Sequence, residues 1–493
     1  MSIYNKVFGK IHDYYDRTAI KFFERSISYL QLNNAINYFS QRLKNSGIVY
    51  GEKVLLFLPN YPEFIISFFS ITNIGGVAVL VDVKLNEEVY KVCIENNIKI
   101  IITDYIGRTK FNKLDEGLEK SKYSSLSNLE FLCIEDLKLL SHDSDNTYNI
   151  YKQGNKYHVN EEDAAIILYT SGSTESPKGV INTHKTLQAA LENYLATLPL
   201  SSTDKLIAVA PFFHSYSMGS CMLSGLAVGG TLLLQHSFQP RKILRLIDEE
   251  KATVFQGVPF MYSLMIQQFD TTTYSLNTLR FCISAGAPIQ EKVMRNFYEL
   301  TGKVIHQEYG STETGTIALN LSTDLEKNIN SVGKALRNVE VRIKKEKTAE
   351  YGIIQVKSQG KSIGYLGGPM FDLEWYSTGD IGEIREDGYI YILGRAKKLI
   401  NVAGVKVNPN EVENILRKHP QVKDVLVSGA AHPDFGEVVS AIIVRKCNFV
   451  YEEELILFCQ KHLALHKVPK IIKFVEELEK SSTGKTIHIQ KEK

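Results

Sequence analysis

Ala165-Ile166-Ile167-Leu168-Tyr169 runs directly into Thr170-Ser171-Gly172-Ser173-Thr174-Glu175-Ser176-Pro177-Lys178-Gly179-Val180. The first five residues are an apolar run of strand length, and the next ten concentrate hydroxyls, backbone amides and one ammonium. A loop of that composition after a strand suits a polyphosphate, because amide dipoles and Lys178 can face its negative oxygens. Gly179 stands after Lys178 where a Walker loop has Ser or Thr, and the glycine spacing also differs. A polar surface turn is the bland alternative. Glu175 is awkward, since a carboxylate beside a triphosphate must point away from it.

Working outward, comparable apolar runs recur at Val54 to Leu58, Val77 to Val81 and Ile98 to Ile102. Stretches with helical spacing, such as Phe64 to Ser70 and Thr186 to Leu198, separate several of them. This alternation predicts an α/β fold with buried, largely parallel sheets. Phe64 to Val81 is apolar enough to suggest a membrane span, but Asn73, Gly75 and Gly76 interrupt it. A buried helix, a glycine turn and a strand are expected there instead. Ser124 to Tyr157 is polar and irregular, and reads as a surface excursion.

After Gly394-Arg395-Ala396-Lys397-Lys398 the pattern changes. A helix signal at Asn410 to His419 is followed by strands at Val425 to Val427 and Val438 to Val444. A helix at Glu452 to Leu463 and a strand at Ile471 to Val475 complete a small α+β domain. At 493 residues the chain exceeds what one core usually supports. The expectation is a large N-terminal domain of layered sheets and helices, 1–394, and a small C-terminal domain, 395–493.

The 57 Lys and Arg against 55 Asp and Glu leave a charge of +2, too small for a nucleic-acid footprint. Six cysteines are scattered without a CxxC pair or metal-ligand spacing with His. They read as reduced residues in apolar surroundings, which makes the cytoplasm the simplest compartment. Met1-Ser2-Ile3-Tyr4-Asn5-Lys6 has no apolar core of a secretory signal.

Three further segments carry chemistry. In Gln307-Glu308-Tyr309-Gly310-Ser311-Thr312-Glu313, a carboxylate could hold Mg²⁺ and a threonine hydroxyl could meet an α-phosphate. In Tyr376-Ser377-Thr378-Gly379-Asp380, an Asp after a glycine turn could hold a ribose through its hydroxyls, although from the residues alone an ordinary turn Asp is the favoured reading. Ser481-Ser482-Thr483-Gly484-Lys485 ends eight residues before the last, and a lone lysine there is usually solvated.

In this order the segments resemble the acyl-adenylate-forming (AMP-binding) superfamily of acyl- and aryl-CoA ligases, luciferases and peptide-synthetase adenylation domains. Tyr169 to Val180 resembles its phosphate loop, Tyr309 to Glu313 its YGxTE motif and Tyr376 to Asp380 its YxTGD motif. Gly394-Arg395 with Val402 to Glu411 resembles its crossover, and Thr483-Gly484-Lys485 its terminal lysine motif. Ser28 to Leu32 and Pro59 to Phe64 extend the resemblance to nearly the whole chain.

The resemblance implies an ATP-dependent acid–thiol ligase, and it implies the following roles. Thr170, Ser171, Gly172, Ser173, Thr174 and Lys178 would hold the triphosphate. Gln307 and Tyr309 would lie beside adenine, Thr312 at the α-phosphate, Glu313 on Mg²⁺, and Asp380 on the ribose with Arg395 nearby. Lys485 would be the catalytic lysine on a mobile C-terminal domain, with Lys397 at the hinge. Gly404 would line the pantetheine tunnel, with Lys406 close to it.

The resemblance also frames the acid. Pro211 to Ser220 contains no acidic residue to pair with an α-ammonium, so an amino acid is not expected. His214, Tyr216 and Ser220 resemble the gate and pocket of fatty-acyl and aryl-acid ligases, and Gly286 and Ala287 the small floor of that pocket. His214 reads equally as a structural histidine. A medium or long fatty acid is the first expectation and an aryl acid the second. Asn401 and Ala403 stand where many CoA ligases carry Lys, so a phosphopantetheine carrier protein stays open beside CoA as acceptor. A nucleotide-binding homologue without activity, a Walker-type ATPase and a luciferase-like oxygenase are the remaining alternatives.

Overall fold

The computed structural model describes residues 1–117, 129–137, 158–169, 177–345, 351–372, 374–403, 405–433, 435–446 and 450–478. Contacts divide the chain into two compact units. The first comprises Met1–Ile329, Leu336–Val339 and Lys357–Glu374, and the second Asn330–Ala335, Glu340–Val356 and Trp375–Lys493.

Two mixed sheets build the first unit. One runs Gly364–Tyr365, Gly179–Thr183, Ala164–Tyr169, Val77–Leu80, Lys53–Phe57, Ile100–Thr103, Glu130–Cys133 from edge to edge. Its centre is parallel, while Gly179–Thr183 and Gly364–Tyr365 pair antiparallel at one edge. The other includes, in order, Gly315–Leu319, Ile305–Ser311, Phe281–Ser284, Val254–Gly257, Lys205–Ala208, Thr231–Leu234, Thr18–Phe22 and Arg25–Ser28. It too is parallel in the middle and closes in an antiparallel hairpin at each of these ends. Strands such as Val77–Leu80 and Ile100–Thr103 are buried along their whole length, which is why they read as unbroken apolar runs.

Pro62 opens the helix Pro62–Asn73 with its φ already set for a first turn. Phe64, Phe68 and Phe69 on this helix are wholly buried, and truncating one to Ala typically costs about 3–5 kcal/mol. Gly75 follows at φ +80, where an added Cβ would stand 2.6 Å from the Tyr50 ring. The buried helix, glycine turn and strand expected at Phe64 to Val81 therefore form. No helix among the described residues is long and apolar enough to cross a membrane.

One expectation fails. Of the supposed excursion Ser124 to Tyr157, only 129–137 are described, and there Glu130–Cys133 adds a parallel edge strand beside Ile100–Thr103. Its three apolar residues are too few to register as a run, and an edge position buries only part of them.

The second unit holds an antiparallel sheet of Glu340–Lys344, Gly352–Lys357, Tyr376–Ile384 and Ile390–Arg395. A further sheet orders Val405–Val407, Ile400–Val402, Gly436–Arg445 and Val422–His432, with Ile471–Val475 parallel to Gly436–Arg445. Helices Pro409–Arg417 and Glu452–Gln460 contribute Val412, Leu416, Leu455 and Cys459 to its apolar core. Asn408 caps the first of these helices and donates from Nδ2 to Leu393 O at 2.7 Å. A Cβ on Gly394 would meet Asn408 Oδ1 at 2.7 Å, so this close approach needs glycine.

Candidate active site

Tyr169 pairs with Gly179 in antiparallel register, so the hydroxyl-rich segment between them connects adjacent strands. Thr170, Ser171, Gly172, Ser173 and Thr174 lie outside the described residues, as do Gly404 and Lys485. Lys178 is exposed at the base of this connection, its Nζ 5.8 Å from the Tyr365 ring centroid. Tyr365 is held there by its backbone pairing with Val180. Its hydroxyl donates to Glu313 Oε1 at 2.9 Å.

Thr312 and Glu313 occupy the turn between Ile305–Ser311 and Gly315–Leu319. Gly315 takes φ +64, and a Cβ on Gly310 would fall 2.3 Å from Gly315 O, so the hairpin closes only with glycine at both places. Ser362 fixes the turn from outside: its N–H donates to Glu313 O at 2.9 Å and its hydroxyl to Thr312 O at 3.2 Å. Gln307 and Tyr309 share one face of the strand, and Glu308 points to the other. The Gln307 amide donates to the carbonyls of Asn328 and, at 3.2 Å, Ile329.

Glu313 suits Mg²⁺. Oε2 has no protein partner among the described residues, and Mg²⁺ is commonly held by one carboxylate together with substrate phosphates and water. No group of three or more metal-ligating side chains exists among the described residues, so the phosphates would supply the remaining charge.

Glu308 was given no role from the sequence, yet it is the most perturbed acid near these residues. Ser220 Oγ and Thr316 Oγ1 donate to its Oε1 at 2.7 and 2.6 Å, and Tyr194 Oη to its Oε2 at 3.3 Å. Burial pushes its carboxyl up to about 7, and the three hydroxyls offset only part of that. Ser220 reaches it from the π-helical segment Ser217–Leu223, a winding often found at functional sites. Tyr194, Ser220, Thr312 and Thr316 line a cavity of about 50 Å³ with Leu187, Leu191 and Met218. Of the expected acid-pocket residues, Ser220 is thus joined to the Thr312 turn.

The others are placed as follows. Tyr216 Oη donates to the Gly257 and Ile283 carbonyls at 3.3 and 3.4 Å. His214 is half-buried with its ring 4.6 Å from that of Phe213. Gly286, at φ +82, and Ala287 follow the strand Phe281–Ser284. In the second unit, Asp380 is buried opposite Arg395 in the hairpin, and Arg395 Nε lies 2.7 Å from Asp380 Oδ1. Gly379 turns at φ +75, and Asp380 N–H donates to Thr378 Oγ1 at 3.0 Å. Lys397 is exposed on the short 3₁₀ turn Ala396–Lys398, and Lys406 is exposed opposite Asn401. Tyr365 had no local sequence signal, whereas strand alternation beside Gln307 and Tyr309 marks Glu308 as inward-facing.

The chain has known relatives. Residues 9–366 match the model of the AMP-binding enzyme family, and residues 411–485 match that of the AMP-binding enzyme C-terminal domain. The chain belongs to the AMP-binding enzyme family, and within it to the acyl-CoA synthetase-like, AMP-forming acid–thiol ligases. It is 27% identical to the long-chain-fatty-acid–CoA ligase of Bacillus subtilis, over 96% of this chain and 90% of the relative. It is 28% identical to 4-coumarate–CoA ligase 3 of Arabidopsis thaliana, over 94% and 85% respectively. ATP-bound MatB from Rhodopseudomonas palustris superposes with a TM-score of 0.86 at 26% identity, over 99% of this chain and 97% of that one.

Proposed function

We propose that this chain activates a carboxylic acid with ATP and passes the acyl group to the thiol of CoA. The observation that carries the reading is the line from Lys178 through Tyr365 to Glu313. It joins the base of the hydroxyl-rich loop to the YGSTE turn, an ammonium and a carboxylate suited to a magnesium-bound polyphosphate.

In the first half-reaction a carboxylate oxygen of the acid bonds to the α-phosphorus and pyrophosphate leaves. Thr170, Ser171, Gly172, Ser173, Thr174 and Lys178 hold the triphosphate, Thr312 meets the α-phosphate, and Gln307 and Tyr309 flank adenine. Asp380 receives the ribose hydroxyls, with Arg395 orienting it. Glu313 would hold Mg²⁺, which when bound would neutralise phosphate charge, and Lys485 offsets the charge that builds on the α-phosphoryl oxygens. In the second half-reaction the thiol sulfur bonds to the acyl carbon, AMP leaves, and the thiol proton passes to solvent. Residues 395–493 turn about Lys397 between the two, withdrawing Lys485 and bringing Gly404 and Lys406 to the pantetheine arm.

For the acid, an aliphatic chain is the first reading. Leu187, Leu191 and Met218 along the cavity support it, as does the name of the Bacillus relative. ATP–pyrophosphate exchange across fatty, aryl and amino acids tests the reading, with mass detection of the thioester on CoA or a carrier protein. Exchange with no acid would refute it, and a thioester only on a carrier protein would move the acceptor away from CoA.

A further inference from the structure

We propose that the cavity in front of Glu308 selects an acid whose acyl part carries a hydrogen-bond donor, a hydroxyl or an amine, and not a bare hydrocarbon. This rests on the reading of the chain as an acid-activating ligase with Ser220 in its acyl pocket.

A hydroxyl has one hydrogen to give and two lone pairs to offer. Ser220, Thr316 and Tyr194 all line the cavity, and where Glu308 is ionised, above about pH 7, each donates to its carboxylate. Their hydrogens point away from the cavity, so what remains for an occupant is lone pairs. Gln256 stands behind these residues and does not line the cavity. It is 2% exposed, and its Nε2 donates to Tyr194 Oη at 2.9 Å and Ser220 O at 2.8 Å. A carbonyl cannot donate, so the amide nitrogen must face Ser220 O. That leaves Gln256 Oε1 as a buried acceptor with no donor among the described residues.

The three hydroxyls of the wall are therefore acceptors toward an occupant, with the Glu308 carboxylate behind them. A methylene placed against them leaves those lone pairs without water or partner, which is costly. A hydroxyl or amine at the same place satisfies one, and above about pH 7 a protonated amine also meets the negative charge of the ionised Glu308. Leu187, Leu191 and Met218 make the remaining wall apolar, so the donor must be an isolated group on an otherwise hydrocarbon skeleton. The absence of an acid residue in Pro211 to Ser220 bears on an α-ammonium, not on an amine farther along the acyl part.

The test uses the full chain and ATP–pyrophosphate exchange at about pH 8, where Glu308 is ionised, with matched straight-chain and aryl acids, each unsubstituted, hydroxylated or aminated. The best donor-bearing acid is expected to exceed its parent in kcat/KM by about tenfold or more, as sites built for a hydrogen bond discriminate. Glu308→Gln reverses one bond, because its amide donates to a hydroxyl, whose own hydrogen then turns to the cavity. The donor preference should fall to within about threefold, and methoxy or keto analogues should gain. Thr316→Val, which keeps the shape and removes one acceptor, should reduce the preference in the same direction, and thermal midpoints verify that both variants fold. Equal exchange of parent and donor-bearing acids by the native chain would overturn the inference while leaving acid activation intact. An undiminished preference in folded Glu308→Gln and Thr316→Val would also overturn it. Exchange with no acid at all would sink the ligase reading and this inference together.

Discussion

Tyr365 Oη donates to Glu313 Oε1 at 2.9 Å, while the ring of the same tyrosine lies 5.8 Å from Lys178 Nζ. The hydroxyl orients the carboxylate so that Oε2 is the oxygen left for a cation. The ring packs near the ammonium independently of the hydroxyl. Tyr365→Phe separates the two effects, because it keeps the ring and removes only the hydrogen bond. The loss of one such bond to a charged acceptor is worth about 1.5–3 kcal/mol. The Mg²⁺ concentration needed for half-maximal exchange should therefore rise at least several-fold, with the acid KM little changed. An unaltered Mg²⁺ dependence would remove Tyr365 from any role at the cation.

Asp380 sits beneath a glycine turn with the Arg395 guanidinium at 2.7 Å. If its carboxylate also receives the ribose hydroxyls, Asp380→Ala weakens apparent ATP affinity by roughly 1–3 kcal/mol. Arg395→Lys keeps the charge and loses the planar fork, so a smaller loss is expected from it. Competition with deoxy-ATP is the decisive measurement. The native chain should prefer ATP, the Asp380→Ala variant should lose that preference, and a preference retained in full would exclude the ribose role.

The fold was readable where burial is complete. The wholly buried strands Val77–Leu80 and Ile100–Thr103 and the helix Pro62–Asn73 announce themselves as apolar runs, and Ile471–Val475 has the bounds its pattern predicts. Glu130–Cys133 escaped because a half-buried edge strand carries too few apolar residues to form a period. Within the candidate site, ordered motifs singled out Lys178, Thr312 and Glu313, since the chemistry they suit is written in consecutive residues. Tyr365 and Glu308 depend on pairings across 52 and 88 positions, to Glu313 and Ser220, and no local pattern encodes a partner that distant.

Lys485 tests the proposed rotation. If its ammonium acts only on the α-phosphoryl transfer, Lys485→Ala should depress adenylate formation by several orders of magnitude. Thioester formation from synthetic acyl-AMP and CoA should stay near the native rate, because the lysine is then withdrawn. The two half-reactions are measured separately, by pyrophosphate release and by thioester mass. Equal loss in both would mean that one arrangement of the domain serves both steps.

Two buried groups give the first unit opposing pH responses. Glu308 is pushed up from 4.5 to about 7 by burial, so between those values the folded chain keeps a proton that the unfolded chain has lost. Its contribution to stability is full below about pH 4.5 and declines as pH rises to 7. His184 is the reverse. It is buried and accepts the Ile3 N–H at its Nδ1, and desolvation lowers it from 6.5 to about 4. Between those values the unfolded chain binds a proton that the folded chain refuses, so stability is full above 6.5 and declines toward pH 4. Each displacement corresponds to about 3 kcal/mol, and in the native chain the two largely offset each other between pH 4.5 and 6.5. Single variants should expose them. Relative to the native chain, Glu308→Gln should lose thermal midpoint on going from pH 7.5 to pH 5, because His184 then acts alone. His184→Gln, which retains an acceptor for Ile3, should gain midpoint over the same change. Profiles that run parallel to the native one in both variants would show that neither group carries its proton as the burial argument requires.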